Sequence, residues 1–276
     1  MTEPLPAIDR TALLEGLVIS AHAAGKAIWD IYNADFEVTV KADASPVTLA
    51  DTAAEAIILA DLARLAPGIP VVAEEEAAAG RIPSIGRQFF VVDPLDGTKE
   101  FVQRRGDFTV NIALIEDGQP TLGLVYAPAK DRLFAGDVTA NIAWTQEVSP
   151  DHALSTASPR RPLAVRTPPK TGLIAVASKS HNTPETDAYL ALYPIGERVS
   201  VGSSLKFCLV AAGEADLYPR LSPTCEWDTG AGHAVLAAAG GKVLALNGSP
   251  LMYGKKDFFN PGFLAAGPMD PIPVEV

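Results

Sequence analysis

The run Asp93-Pro94-Leu95-Asp96-Gly97-Thr98 sets two carboxylates and a hydroxyl on one tight turn directly after the apolar stretch Phe89-Phe90-Val91-Val92. Such a turn is a place to hold a hard metal ion. A strand delivers Asp93 to the end of a sheet, Pro94 fixes the local φ, and Gly97 permits a conformation or a close approach that a side chain would obstruct. Mg²⁺ takes oxygen ligands in near-octahedral geometry and commonly uses one or two carboxylates with water and substrate phosphate. The bland alternative is an acidic surface turn, because Asp, Pro and Gly are ordinary turn residues. Two further clusters weigh against it. Val71-Val72-Ala73-Glu74-Glu75-Glu76 again puts carboxylates straight after an apolar strand, and Glu226-Trp227-Asp228-Thr229 precedes a small-residue segment, Gly230 to Gly241, that reads as a buried helix. Each alone could be a solvated strand end or, for Asp228-Thr229, a negatively charged helix start. Three separated acidic segments together favour a polynuclear metal site, since sites in α/β folds gather around strand ends.

The elements that must position these acids alternate along the chain. The apolar spacing predicts helices over 12–32 and 48–65, the second capped by Thr48 and stopped by Pro67-Gly68, with a strand over 36–41 between them. Short buried strands follow at 71–72 and 89–92, then a hairpin of 108–115 and 121–126 turned at Asp117-Gly118, with 133–135 and 142–144 continuing the sheet. Residues 149–170, rich in Pro, Ser, Thr and Arg, read as a connector. Beyond it, strands at 173–177, 197–201, 216–218 and 242–246 alternate with helices at 185–192, 204–212 and 229–239.

Composition bounds the partners. The 276 residues carry 33 Asp and Glu against 22 Lys and Arg, a formal net charge of -11, so nucleic-acid polymers are repelled and an anionic small substrate depends on metal ions and local cations. No run approaches the roughly 20 apolar residues of a membrane span, and the amino terminus lacks the order of a secretory signal. A cytoplasmic enzyme, monomer or homodimer, is the expectation; no basic amphipathic segment argues for attachment to the inner face of the membrane. Cys208 and Cys225 read as reduced thiols. His22, His152 and His233 form no metal-spaced cluster and are assigned no chemistry.

The glutamate pair, the run from Asp93 to Thr98, and Trp227-Asp228-Thr229-Gly230-Ala231-Gly232 resemble the signature of the inositol monophosphatase superfamily of lithium-sensitive, magnesium-dependent phosphatases. Within it, Lys99-Glu100-Phe101, Asn111-Ile112-Ala113-Leu114-Ile115, Val125-Tyr126-Ala127-Pro128, Gly202-Ser203-Ser204-Leu205-Lys206-Phe207-Cys208 and Leu217-Tyr218-Pro219-Arg220 resemble the 3'(2'),5'-bisphosphate nucleotidases of the CysQ type. The resemblance runs from Lys41-Ala42-Asp43 to Asn260-Pro261-Gly262-Phe263, with 138–170 poorly matched.

That resemblance implies an α/β (α+β) fold, a layered αβαβα sandwich, in which a lobe of residues 1–145 carries most metal ligands and a lobe of 146–276 carries Asp228 and the nucleotide-binding segments. It implies two or three Mg²⁺ ions held by Glu74, Asp93, Asp96, Asp228 and the backbone carbonyl of Leu95, with Asp93 bridging. Hydrolysis is direct, without a covalent phosphoenzyme, and lithium inhibits by displacing a weakly held magnesium. Asp51 and Thr98 join Glu74 as catalytic candidates: the carboxylate orients the hydroxyl, and the hydroxyl positions the attacking water. Asp51, one turn after Thr48, reads equally as helix-start stabilisation. Gly97 and Thr98 offer backbone N–H groups to the phosphate. Glu74 aligns with the metal ligand as the first acid after Val-Val-Ala; Glu75 remains a rival and Glu76 reads as solvated.

Ser178, His181, Gly202, Ser203, Lys206 and Asp228 are the candidate substrate contacts of the nucleotide-binding branch. Loop hydrogen bonding for Ser178 and His181, helix capping for Gly202 and Ser203, and solvation for Lys206 are the plain alternatives. Two residues depart from the pattern. Glu226 sets an acid where relatives carry an apolar residue, either adding to cation binding or facing solvent, and Gly230 costs about 1 kcal/mol if it lies inside an exposed helix. The leading expectation is removal of the 3'-phosphate of adenosine 3',5'-bisphosphate to give AMP and phosphate, in sulfur assimilation, with 3'-phosphoadenosine 5'-phosphosulfate a further substrate in view. An inositol monophosphatase or broad sugar phosphatase is the alternative with the same metal chemistry, and a catalytically silent nucleotide sensor the alternative of another class.

Overall fold

The computed structural model describes residues 8–34, 38–40, 46–178 and 183–274. α1 (Arg10–Tyr32) starts where the Asp9 carboxylate accepts from the Ala12 N–H, and it turns Leu13, Leu17, Ala21, Ala24 and Ile28 to the core. The antiparallel pair β1 (Val38–Val40) and β2 (Pro46–Thr48) leads into α2 (Leu49–Leu65), which lies against α1. Next come β3 (Val71–Ala73), α3 (Glu74–Ala78), β4 (Gln88–Asp96) and α4 (Thr98–Val102). β5 (Thr109–Glu116) and β6 (Gln119–Ala127) form the expected hairpin, and positive φ at Asp117 and Gly118 suits a two-residue turn between twisted strands. β7 (Arg132–Asp137), β8 (Ile142–Glu147) and β9 (Arg161–Pro162) complete a sheet of order β3-β4-β5-β6-β7-β8-β9.

The remainder comprises β10 (Leu173–Ser178), α5 (Pro184–Leu190), β11 (Ile195–Val201), α6 (Leu205–Ala211), β12 (Leu217–Arg220), β13 (Thr224–Cys225), α7 (Gly230–Ala238), β14 (Lys242–Leu244), β15 (Phe259–Asn260) and β16 (Phe263–Ala266). Its sheet has the order β11-β10-β12-β16-β14, with β13 and β15 paired separately. The first sheet lies between the α1–α2 layer and α7; α6 packs on α7 and on the second sheet, and α5 packs on β12. These contacts make the αβαβα sandwich that the resemblance implies.

Burial on both faces explains why the strands read as continuous apolar runs. In β4, Phe90 and Val92 join the core beneath α1 and α2, whereas Phe89 and Val91 join the core shared with α6, α7 and the second sheet. Strand alternation therefore aims Asp93 with Phe89 and Val91, toward the layer in which α7 begins. A register irregularity between Asp93 and Asp96 then breaks the pairing with β5, so the acids sit where ladder geometry is already interrupted.

Several elements differ from the sequence reading. β4 continues through the acidic run to Asp96 rather than ending at Val92. Glu74, read as coming straight after the strand, opens a short helix that the sequence reading did not include. The strands β13, β15 and β16 were not anticipated, and of the expected 36–41 strand the described part is Val38–Val40. The chain passes from one sheet to the other between Pro162 and Leu173, so a division at 145/146 would cut β8. No helix among the described residues is long and apolar enough to cross a membrane.

Candidate active site

Three segments bring their acids to one cleft of about 610 Å³, lined by Glu74, Asp93, Asp96 and Asp228 together with Thr98 and Lys206. That volume lies within the range of small-molecule sites. Asp93 is 1% exposed. Its Oδ1 accepts the Leu95 N–H at 3.0 Å. Burial, then the charges of Glu74, Asp96 and Asp228, push its carboxyl well above the usual range. Asp96 is raised by burial and by Asp228, against the opposing pull of Lys206 and Arg220. The Asn111 amide reaches the Asp96 Oδ2 at 3.4 Å while its carbonyl accepts from the Ser204 hydroxyl at 2.6 Å, and Ser204 in turn meets Thr109 at 2.9 Å. A polar chain thus ties the acidic run to the start of α6.

Asp228 presents one carboxylate oxygen to the Thr224 hydroxyl and, at 2.8 Å, to the Cys225 N–H. Among the described residues no three His, Cys, Asp or Glu side chains are gathered closely enough to hold a metal ion by themselves. An oxygen-only, mutually repelling set of this kind suits a hard divalent cation that keeps several waters and needs few protein ligands, and it does not suit a soft or tightly caged metal.

The two oxygens of Asp51 have separate partners, one at the helix start and one at Thr98. Its Oδ2 accepts from the Thr48 N–H at 2.8 Å and the Thr48 hydroxyl at 2.9 Å in a capping box, while Oδ1 accepts from the Thr98 hydroxyl at 3.2 Å. Thr98 also lies 3.2 Å from the Leu95 carbonyl. Gly97 holds φ 94°, and a Cβ there would stand 2.8 Å from the Asp107 carbonyl; a Cβ on Gly202 would stand 2.7 Å from the same oxygen. Both turns need glycine so that they can close on one backbone group.

Lys206 is neither solvated nor loose. It is 2% exposed, its Nζ donates to the Ser203 carbonyl at 2.5 Å and the Val201 carbonyl at 3.2 Å, and it lies 5.2 Å from the Tyr218 ring centroid. Burial lowers its pKa, and the charge of Asp96 opposes that. Gly202, Ser203 and Ser178 line the same cleft. Ser203 adopts φ 51°. His181 lies outside the described residues.

Glu226 corrects both earlier readings. It is fully buried and accepts from the Gly254 N–H at 2.7 Å, the Lys255 N–H at 3.0 Å and the Lys255 Nζ at 2.6 Å, so it fastens a distant turn rather than serving a cation site or facing solvent. Gly230 opens α7, and a Cβ on it would lie 2.7 Å from Val91, so the helix approaches the first sheet through this residue. Arg220 was not among the candidate contacts. It lines the cleft, its Nε is buried without a hydrogen-bond partner, and its charge bears on both Asp96 and Asp228. The signal available was a lone cation at the end of an apolar strand. Glu55 was likewise missed: its carboxylate accepts the Glu75 N–H at 2.9 Å, and burial pushes its pKa up to about 7.

The inositol monophosphatase family pattern matches residues 9–267. The 3'(2'),5'-bisphosphate nucleotidase CysQ of Shigella flexneri is 44% identical over 254 residues, covering 91% of this chain and 98% of that one. The protein of the same description from Buchnera aphidicola subsp. Acyrthosiphon pisum is 39% identical over 260 residues, covering 92% and 93%. Among solved structures, CysQ from Bacteroides thetaiotaomicron superposes with a TM-score of 0.75 at 39% identity, covering 93% and 97% of the two chains.

Proposed function

Because the chain belongs to the inositol monophosphatase family, we propose that it is a Mg²⁺-dependent phosphomonoesterase that removes the 3'-phosphate of adenosine 3',5'-bisphosphate, leaving AMP. The observation that carries the reading is one cleft lined by Glu74, Asp93, Asp96 and Asp228 from three segments together with Thr98, whose hydroxyl is bonded to Asp51, and the cations Lys206 and Arg220. The nucleotide part rests on the relatives, whose printed descriptions name a bisphosphate nucleotidase.

Glu74, Asp93, Asp96, Asp228 and the Leu95 carbonyl would hold the Mg²⁺, which when bound supplies Lewis-acid stabilisation of phosphoryl charge and of the departing ribose oxygen and lowers the pKa of water. Thr98, donating its proton to Asp51, leaves a lone pair to accept from the attacking water and so orients it. Gly97 and Thr98, at the start of α4, offer backbone N–H groups to the phosphate. Arg220, with its Nε unpaired, supports a further anionic group of the substrate. The chain's own contribution is thus orientation of water, charge balance and a shaped cleft. A two-lobed division of these tasks, with the crossover within 163–172, belongs to the same proposal.

The test is product analysis by ³¹P NMR after incubation of adenosine 3',5'-bisphosphate with magnesium. The expected products are 5'-AMP and phosphate, abolished by EDTA; accumulation of 3'-AMP would overturn the proposed regiochemistry.

A further inference from the structure

We propose that Glu55 is a positioning residue: its buried carboxylate fixes the backbone of the glutamate turn and thereby the place from which Glu74 reaches its metal. This rests on the reading of Glu74 as a metal ligand.

Glu55 lies on the buried stripe of α2 between Ala54 and Ile58 and is 4% exposed. A carboxylate in such a stripe is costly unless its oxygens are satisfied. Oε2 accepts the Glu75 N–H at 2.9 Å, and the Glu76 N–H bears on the same carboxylate. Those N–H groups belong to the first turn of α3, which has no acceptors within its own helix. Ala73, the residue in the capping position, makes no side-chain hydrogen bond to them. A five-residue helix opening with three glutamates has little stability of its own. The cap that its local sequence lacks comes from 20 residues earlier in the chain.

The partner of Glu55 on this face is Asp51, one helical turn before it, and residues four apart lie on the same side of a helix. Asp51 grips Thr98 and Glu55 grips Glu75. α2 also packs on β4, which carries Asp93 and Asp96. One rigid helix therefore sets the spacing among the turn that bears Glu74, the turn that bears Thr98 and the strand that bears the aspartates. Groups that orient ligands without touching the ion typically change metal affinity by about 10- to 100-fold when removed.

The experiment compares wild type, Glu55→Met, which removes both acceptors at similar length, and Glu55→Gln, which keeps one. Amide hydrogen exchange at Glu75 and Glu76 is measured in metal-free protein, Mg²⁺ binding by calorimetry, and kcat and KM for the phosphate ester at saturating Mg²⁺. Glu55→Met is expected to speed exchange at those two amides with the rest of the fold protected, to weaken Mg²⁺ binding by about 10- to 100-fold, and to leave KM for the ester within about twofold at saturating metal. Glu55→Gln is expected to fall between, and it carries the same comparison if Glu55→Met does not fold. Unchanged exchange in a folded variant overturns the positioning role of Glu55. Faster exchange with unchanged Mg²⁺ binding overturns instead the reading of Glu74 as a ligand.

Discussion

Asp93 holds a carboxylate among three others with the Leu95 N–H as a hydrogen-bond donor, so the metal-free site is electrostatically uncomfortable by construction. Replacing it with asparagine removes one charge and keeps the shape. Asp93→Asn is therefore expected to lower Mg²⁺-dependent turnover by on the order of 10³-fold, while the metal-free melting temperature holds or rises. Steady-state kinetics beside a thermal melt checks both, and full retained activity would sink the bridging role. Lys206 poses a different question, because its ammonium is already engaged by the carbonyls of Val201 and Ser203. Removing it with Lys206→Met should cost about 1–3 kcal/mol through the carbonyls left without a donor, measurable by denaturant unfolding. If it also grips the nucleotide, KM for the bisphosphate nucleotide rises much more than KM for inositol 1-phosphate; equal losses would make it a purely structural cation.

At the scale of elements, α7 combines a position near the chemistry with a buried titratable group. His233 is 6% exposed and shares a hydrogen bond of 3.1 Å with the Tyr253 hydroxyl, and burial lowers its pKa from 6.5 to about 3. The unfolded chain takes up this proton below its ordinary value while the folded one refuses it. His233 therefore leaves stability intact above about pH 6.5 and removes on the order of a few kcal/mol as pH falls toward 3. His233→Gln should flatten that fall, seen as a smaller loss of melting temperature between pH 7 and pH 4; an identical pH dependence would contradict the account. The layers themselves were legible in the sequence, since α1, α2, β5 and β6 carry long periodic patterns and Thr48 with Asp51 announces a helix start. What escaped was short or long-range. α3 and α4 have five residues each, too few for a period, and β13 and β15 have two. The partners of Glu226 and Glu55 lie 28 and 20 residues away, where no local spacing points to them. The acids of the site were visible because Glu74 and the Asp93–Asp96 run come with apolar strand sequence and Asp228 precedes a small-residue helix, whereas the burial of Lys206 depends on β12, which supplies Tyr218 from a separate part of the chain.

For the whole molecule, the cleft lies where the first sheet, the α6–α7 layer and the second sheet meet, so binding there joins the fold's stability to its ligand. Mg²⁺ at about 100 times its dissociation constant should add about 2.7 kcal/mol, a rise of about 5–10 °C in melting temperature for a chain of this size. EDTA should reverse it, and a melting temperature indifferent to both would argue against metal held by these acids. The central claim is that this cleft holds Mg²⁺ and is shaped for a phosphorylated nucleotide. Its most direct test is phosphate release from adenosine 3',5'-bisphosphate and from inositol 1-phosphate under identical conditions, with magnesium, with magnesium plus lithium, and with EDTA. The account predicts a kcat/KM for the nucleotide at least about 100-fold higher, the equivalent of roughly 2.7 kcal/mol of selective transition-state binding, with loss of activity in EDTA and inhibition by lithium. Equal or greater efficiency with the inositol ester would contradict it.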